Sequence, residues 1–355
     1  MKILQVMAGA QFGGAETAFE DMCIAMHQSG LDIHAAFRHW PARFERLQDH
    51  GVPCSTFRFG GFADITTKGH LKNLIYQYEP DIVQTWMARA ARKTPHYRQS
   101  GASKKYYTVA RLGGYYDLKY FKTMDYFAAV TPKLKDHIAD KGVPAPRIRQ
   151  LNNFTFVDED AVPVSRKELD TPAEATVLLS LARYHKNKAL DILIKALPYL
   201  PNAYLWLAGE GPEREALQKL AKKENVADRV RFLGWRGDRA ALLKAADICT
   251  FVSRHEPFGT VFVQAWAHKT PLIVSGADGP AQYCTDNEDS LMVEIDNIED
   301  VVNAVKRLED DSVLRMRLAN AGYKNYMEHF SKDAGIKAYL NFYESILQNG
   351  SFRTL

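Results

Sequence analysis

The order of apolar and polar residues predicts an α/β protein with two domains, each a parallel sheet layered with helices. Three observations carry that expectation. Short apolar runs alternate with helical stretches in two series, one starting at Lys2 and one at Ala175. Between them, Asp158 to Thr171 turns polar and irregular around Pro163, with Pro172 just beyond, as a linker does. The 355 residues, 46% hydrophobic and 25% charged, suffice for two separate cores. The domain bounds are placed at 1–160 and 172–331.

The first series opens with a strand over Lys2 to Met7, a loop Ala8-Gly9-Ala10-Gln11-Phe12-Gly13-Gly14, and a helix from about Ala15 to Ser29. Ala18, Phe19, Met22, Ala25 and Met26 give that helix one apolar stripe, and Gly30 ends it. Strand, glycine loop and helix form the opening unit of a Rossmann-like sheet. The loop lacks Gly-x-Gly-x-x-Gly spacing, and the second strand, Asp32 to Phe37, runs into Arg38-His39-Trp40 where a ribose-binding acid would stand, so NAD is not expected. Further strands are read at Cys54–Phe59, Ile82–Trp86, Tyr106–Ala110, Phe127–Val130 and Ile148–Leu151.

The second series places strands at Thr176–Ala182, Tyr204–Ala208, Val230–Trp235, Ile248–Val252 and Pro271–Ser275, with helices from Asn297 onward and the last over about Lys332–Gln348. The stretch richest in chemistry is His255-Glu256-Pro257-Phe258-Gly259-Thr260-Val261-Phe262-Val263-Gln264. It joins an acid, a tight glycine turn and an apolar helix start. A helix opening at Gly259-Thr260 directs backbone N–H groups and the positive end of its dipole at a ligand above the strand, which favours phosphate. Glu256 stands beside that phosphate, and Gln264 lies a little over one turn beyond Thr260. An acid, a phosphate cradle and a polar rim group suit a sugar nucleotide.

This segment resembles the Glu-x7-Glu signature of retaining glycosyltransferases with the two-Rossmann-domain (GT-B) architecture, the family 4 group. The resemblance implies two Rossmann-like domains facing across a cleft, with the segment 332–355 crossing back to the N-terminal domain. It implies that Glu256 contacts hydroxyls of the donor sugar, that Phe258, Gly259 and Thr260 border the donor, and that Gln264 takes the ribose position usually held by Glu. A neutral hydrogen bond there is worth about 0.5–1.5 kcal/mol against roughly 1.5–3 for a charged one. Arg183-Tyr184-His185-Lys186-Asn187-Lys188 resembles the family's Gly-Arg-Leu-x-x-x-Lys-Gly stretch, with Ala182 and Ala189 at the glycine positions. Arg183 and Lys188 are thereby implied to neutralise the diphosphate leaving group. Gly13-Gly14-Ala15-Glu16 resembles the family's Gly-Gly-x-Glu loop, which faces the cleft. Gly209, Gly234 and Trp235 are the remaining donor-side candidates, Trp235 being read equally as a core residue. Gln282 stands where relatives commonly carry Glu.

The function this resemblance implies is metal-independent retaining transfer of a sugar, without a cofactor, from a donor such as a UDP- or GDP-sugar to a glycolipid or saccharide acceptor, such as a lipopolysaccharide core. Asp158-Glu159-Asp160 matches an Asp-x-Asp metal motif, but in a linker it reads as solvated charge. In the family that the chain resembles, the strand ends equivalent to Trp86 and to Arg111 or Leu112 often contain a His facing the acceptor. This chain has none there, so no catalytic His is expected in the N-terminal half, and His96 and His137 read as surface residues. Two rivals stay open: a catalytically silent binding or regulatory protein of the same fold, and an epimerase of sugar nucleotides.

Charge and composition bound the partners. The net charge is +4, but no acid occurs between Asp81 and Asp117, a stretch that holds Arg89, Arg92, Lys93, Lys104 and Lys105 among aromatic residues. Those five are expected to form one surface for an anionic acceptor or an inner-membrane face. No nucleic-acid motif accompanies them. Cys23, Cys54, Cys249 and Cys284 are too scattered for a zinc site or a disulfide framework and read as free thiols. The run Ile3 to Met7 is too short for a signal peptide and no run spans a bilayer, so a cytoplasmic protein is expected, peripheral at the membrane's cytoplasmic face.

Overall fold

The computed structural model describes residues 1–11, 13–60, 64–158, 160–256 and 258–349. Phe12, Glu159, Pro257 and the end of the 332–355 segment, all named above, lie outside the described residues. The chain divides into two compact units, one formed by Met1–Phe154 with the segment from Lys332, the other by Thr155–Ser331.

In the first unit the elements are β1 (Lys2–Met7), α1 (Gly14–Gln28), β2 (Asp32–Arg38), α2 (Pro41–Asp49), β3 (Cys54–Phe57), α3 (Thr66–Tyr78), β4 (Ile82–Trp86), α4 (Met87–Lys93), α5 (Tyr97–Ser100), β5 (Tyr107–Leu112), β6 (Tyr126–Ala129), α6 (Pro132–Asp140) and β7 (Ile148–Gln150). The strands form a parallel sheet in the order β3-β2-β1-β4-β5-β6-β7. β1 is apolar along most of its length because both faces are covered: Ile3, Leu4, Val6 and Met7 are all fully buried. β3 stops at Phe57 and not at Phe59, since Phe59 adopts a left-handed φ of 42° that cannot continue a strand.

The second unit repeats the plan with β8 (Thr176–Leu181), α7 (Leu190–Ala196), β9 (Ala203–Ala208), α8 (Arg214–Lys223), β10 (Val230–Gly234), α9 (Arg239–Ala245), β11 (Ile248–Phe251), α10 (Thr260–Ala267), β12 (Leu272–Ser275), β13 (Leu291–Val293), α11 (Ile298–Asp310) and α12 (Ser312–His329). Its parallel sheet runs β10-β9-β8-β11-β12-β13. β13, three residues long, was not anticipated by the sequence patterning. The closing helix α13 (Lys332–Asn349) belongs to the first unit, where the Tyr343 hydroxyl donates to Gln84 Oε1 at 2.8 Å. In each sheet the strand order reverses direction once, between β1 and β4 and between β8 and β11. Ligands of open α/β sheets bind beyond the carboxyl ends of such a pair. The expected class, two Rossmann-like α/β domains, is therefore what the chain adopts.

Candidate active site

Beyond the carboxyl ends of β8 and β11 the second unit brings together two predicted residues from distant parts of the chain. Lys188 ends a short 3-10 turn after β8, and its ammonium forms an ion pair with the Glu256 carboxylate after β11. Both side chains are largely buried, 23% and 14% exposed, so the pair is weakly screened. Lys188 Nζ also lies 5.9 Å from the centre of the Phe251 ring. Tyr184 anchors the loop: its hydroxyl donates to the Leu207 carbonyl at 2.7 Å, and its backbone N–H donates to the Glu210 carbonyl at 2.9 Å. Burial pushes the Tyr184 phenol up to about 12, so it stays a neutral donor. Arg183, next to it, is exposed and has no hydrogen bond or ion pair among the described residues.

The Glu256 segment is fixed by close backbone packing. Gly279 N–H donates to the Glu256 carbonyl at 2.7 Å, and a Cβ at Gly279 would fall 2.5 Å from the Phe258 carbonyl oxygen, so no side chain fits there. Gly259, with φ of 81°, precedes α10, whose first turn has no side-chain cap. That leaves the helix N-terminus at Thr260 available to an anion beside Glu256. Gln264, half-buried on α10, has an Oε1 that is buried without a hydrogen-bond partner.

Other candidates are placed differently. Phe258, expected at the donor, is only 5% exposed and packs among Phe262, Tyr283 and Phe330 at ring distances of 5.5, 5.6 and 6.2 Å. Its side chain is a core group, drawn inward by aromatic residues remote in sequence. Gly209 is required by packing, because a Cβ would overlap the Ala182 carbonyl. Gly234 takes a left-handed φ of 69° and turns the chain so that Trp235 is 62% exposed, with the Arg239 guanidinium 5.1 Å from its ring centre. Trp235 is therefore a surface aromatic and not a core one. A separate groove of about 560 Å3, between α7 and α8, is lined by Lys195, Glu213, Leu217 and Arg254 and does not include Glu256.

In the first unit the glycine loop after β1 is braced from within. Glu16 is buried and accepts the Ala10 N–H at 2.9 Å, and a Cβ at Gly13 would collide with its carboxylate. Gly14 has open space around it. Arg43, 2% exposed, donates to the carbonyls of Ala10 at 2.9 Å and Gln11 at 3.3 Å. At the end of β5, Arg111 is buried over Trp86, 4.2 Å from the ring centre, and donates to Asn153. Burial lowers its pKa. His96, expected at the surface, is partly buried and meets Asp125 at 3.1 Å.

The five basic residues between Asp81 and Asp117 do not form one face. Arg89, Arg92 and Lys93 lie on α4, beyond the carboxyl end of β4, where Lys93 donates to the Asp64 carbonyl and Arg92 covers the Tyr120 ring at 5.4 Å. Lys104 and Lys105 lie at the opposite end, just before β5, where Lys104 pairs with Asp81 at 2.6 Å and Lys105 covers Tyr107 at 4.7 Å. The chain crosses the sheet between the two groups, which local charge density in the sequence does not reveal. Sequence reasoning also missed Arg254, whose partners Asp191 and Asp296 are remote in the chain. Among the described residues no helix is long and apolar enough to cross a membrane, and no three His, Cys, Asp or Glu side chains cluster as metal ligands.

Comparison with known proteins adds the family. Residues 162–325 match the model of glycosyl transferases group 1, and residues 12–159 match that of glycosyltransferase family 4. The chain is 36% identical over 337 residues to lipopolysaccharide core biosynthesis glycosyltransferase LpsE of Rhizobium meliloti (strain 1021), covering 94% of this chain and 96% of the relative. It is 33% identical to LpsD of the same organism, covering 97% and 98%. Among solved structures, a glycosyltransferase from Rickettsia africae ESF-5 superposes with a TM-score of 0.86 at 17% identity, over 98% of this chain and 99% of that one. Anabaena Alr3699/HepE in complex with UDP and glucose superposes with a TM-score of 0.80 at 18% identity, over 99% of each chain. With the two-sheet fold, these matches over nearly the full length mean that the chain belongs to glycosyl transferases group 1 and is a GT-B glycosyltransferase of the family 4 type.

Proposed function

We propose that the protein transfers a sugar, with retention of anomeric configuration and without a metal, from a nucleotide-sugar donor to a saccharide of the lipopolysaccharide core. The observation that carries this reading is the Lys188–Glu256 pair at the reversal of the second sheet, beside the uncapped start of α10. Arg183, Lys188 and the helix N-terminus supply preorganised positive charge for a departing diphosphate, the part a metal ion plays elsewhere. Glu256 accepts hydrogen bonds from the donor sugar and orients it. The exposed ring of Trp235 borders the base, and Gln264 takes the ribose side. No side chain identifies itself as a covalent nucleophile, so attack by the acceptor hydroxyl on the face the leaving group vacates fits the group best. The core as acceptor is supported by the names of the relatives, LpsE and LpsD. Arg89 and Arg92, with Lys119 covering Tyr120 at 5.0 Å, offer that acceptor a cationic and aromatic surface, which would place the enzyme at the inner-membrane face in the cytoplasm.

The test is transfer from UDP- and GDP-sugars to truncated core oligosaccharides, read by mass spectrometry, with the anomeric configuration assigned by NMR and the assay repeated in chelator. Transfer with retention, unchanged by chelator, is expected. Nucleotide binding without transfer or donor hydrolysis would point to a silent binding protein, and interconversion of free donors without acceptor to an epimerase.

A further inference from the structure

We propose that Arg254 is the positioning residue that sets Lys188 against Glu256, a role that rests on the transferase reading above. Arg254 lies two residues before Glu256, and its donors diverge to three partners. Nε donates to Asp296 Oδ1 at 2.6 Å, Nη1 to the Lys186 carbonyl at 2.5 Å and Nη2 to Asp191 Oδ2 at 2.9 Å. Its backbone N–H donates to the Asn187 carbonyl at 2.8 Å. A single residue thus binds both carbonyls that precede Lys188, and it anchors the turn to α7 through Asp191 and to the segment before α11 through Asp296.

The turn has 3-10 bonds of its own, from Lys188 N–H to the His185 carbonyl at 2.8 Å and from Ala189 N–H to the Lys186 carbonyl at 3.2 Å, but these do not tie it to the segment that carries Glu256. Ala189, immediately after Lys188, is buried with φ of 51°, and Asp296 has φ of 64°. Left-handed backbone at a residue with a Cβ is unfavourable and persists only where neighbours over-determine it. Ala189 has no polar side chain to do so. The bonds from Arg254 link the strand ends on the two sides of the sheet reversal, so they fix the geometry that places the ammonium of Lys188 on the carboxylate of Glu256. With Nε and both Nη atoms already engaged inside the protein, the guanidinium of Arg254 serves as a brace and not as a ligand for the donor.

The experiment is a double-mutant cycle in the full chain with steady-state donor kinetics. Arg254→Gln is expected to lower kcat/KM for the donor by about 10²-fold, the scale of a reacting group displaced by about 1 Å. In a Lys188→Ala background the same substitution should cost no more than about twofold, since the group it positions is gone. Asp296→Asn, which removes one exposed anchor, should give a smaller loss with the same non-additivity and carries the test if Arg254→Gln does not fold. Equal losses in the two backgrounds, where Lys188→Ala is itself impaired, overturn the positioning role alone. Unchanged kinetics in Lys188→Ala by itself overturn the role given to Lys188 in the transferase reading, and the Arg254 proposal with it.

Discussion

The two units share one plan and differ in what they do with polar groups at the carboxyl ends of their strands. In the first unit several of those groups are consumed internally: Glu16 and Arg43 brace the glycine loop, and Arg111 is buried over Trp86. In the second, Arg183 has no partner among the described residues, and Lys188 and Glu256 have one another. A fold can bury a charge only if it is paired or hydrogen-bonded. Glu16 and Arg43 in the first unit are committed to holding a loop, whereas Arg183 in the second is exposed and has no partner among the described residues. The same mutation type should therefore read out as lost stability in one unit and lost chemistry in the other.

The largest expected effect is in the second unit. Lys188→Ala should lower kcat by about 10²–10³-fold, the range for removing one preorganised group at developing charge; a loss under tenfold in steady-state assays would remove Lys188 from the machinery. Arg183→Ala should weaken UDP or GDP binding by about 1.5–3 kcal/mol in calorimetry with no change in melting temperature, because the exposed side chain has no partner among the described residues. Its counterpart in the first unit, Glu16→Ala, should do the reverse. Removing the buried acceptor of the Ala10 N–H is expected to cost about 1–3 kcal/mol, a fall of several degrees in Tm. A drop in nucleotide affinity with unchanged Tm would erase the contrast between the units.

Smaller effects sharpen it. Gln264→Glu places a carboxylate where Oε1 is already buried and unpartnered. Donor affinity should change by no more than about tenfold, roughly 1.4 kcal/mol, and abolished turnover with intact binding would instead make the residue part of the reaction. The smallest effect is in acid. Burial lowers the pKa of His34 in the first unit and of His268 in the second. Below about pH 6.5 the unfolded chain takes up protons that these side chains refuse when folded, so stability is full above that pH and falls as pH drops toward their folded pKa values. His34→Gln and His268→Gln should each flatten the fall in Tm across that window, and unaltered slopes would show that neither ring is the source.

Much of this organisation is legible in the sequence because a strand buried on both faces needs a continuous apolar run, as in β1, β8 and β11. β13 escaped because three residues make no pattern. The Lys188 and Glu256 segments were legible as motifs, each local. What was hidden depends on partners far away in the chain. Phe258 was drawn into the core by Tyr283 and Phe330, and Arg254 stood between unremarkable neighbours until Asp191 and Asp296 were seen around it. The basic stretch failed as a single face because charge density along a chain does not record that the chain crosses a sheet between Lys93 and Lys104.

The composition of the first unit from Met1–Phe154 and the segment from Lys332 also orders events during synthesis. Its strands emerge first, but Tyr343, which is fully buried and bonds Gln84 in the middle of the sheet, emerges only after the whole of Thr155–Ser331. That intervening stretch is 331 − 154 = 177 residues long, so at about 5–20 residues per second a ribosome takes roughly 10–35 s to traverse it. For that interval the nascent first unit carries an unfilled seat for α13, with Gln84 lacking its tyrosine partner. The second unit, continuous in the chain, can close as soon as it clears the exit tunnel. The domain encoded first is thus the one finished last.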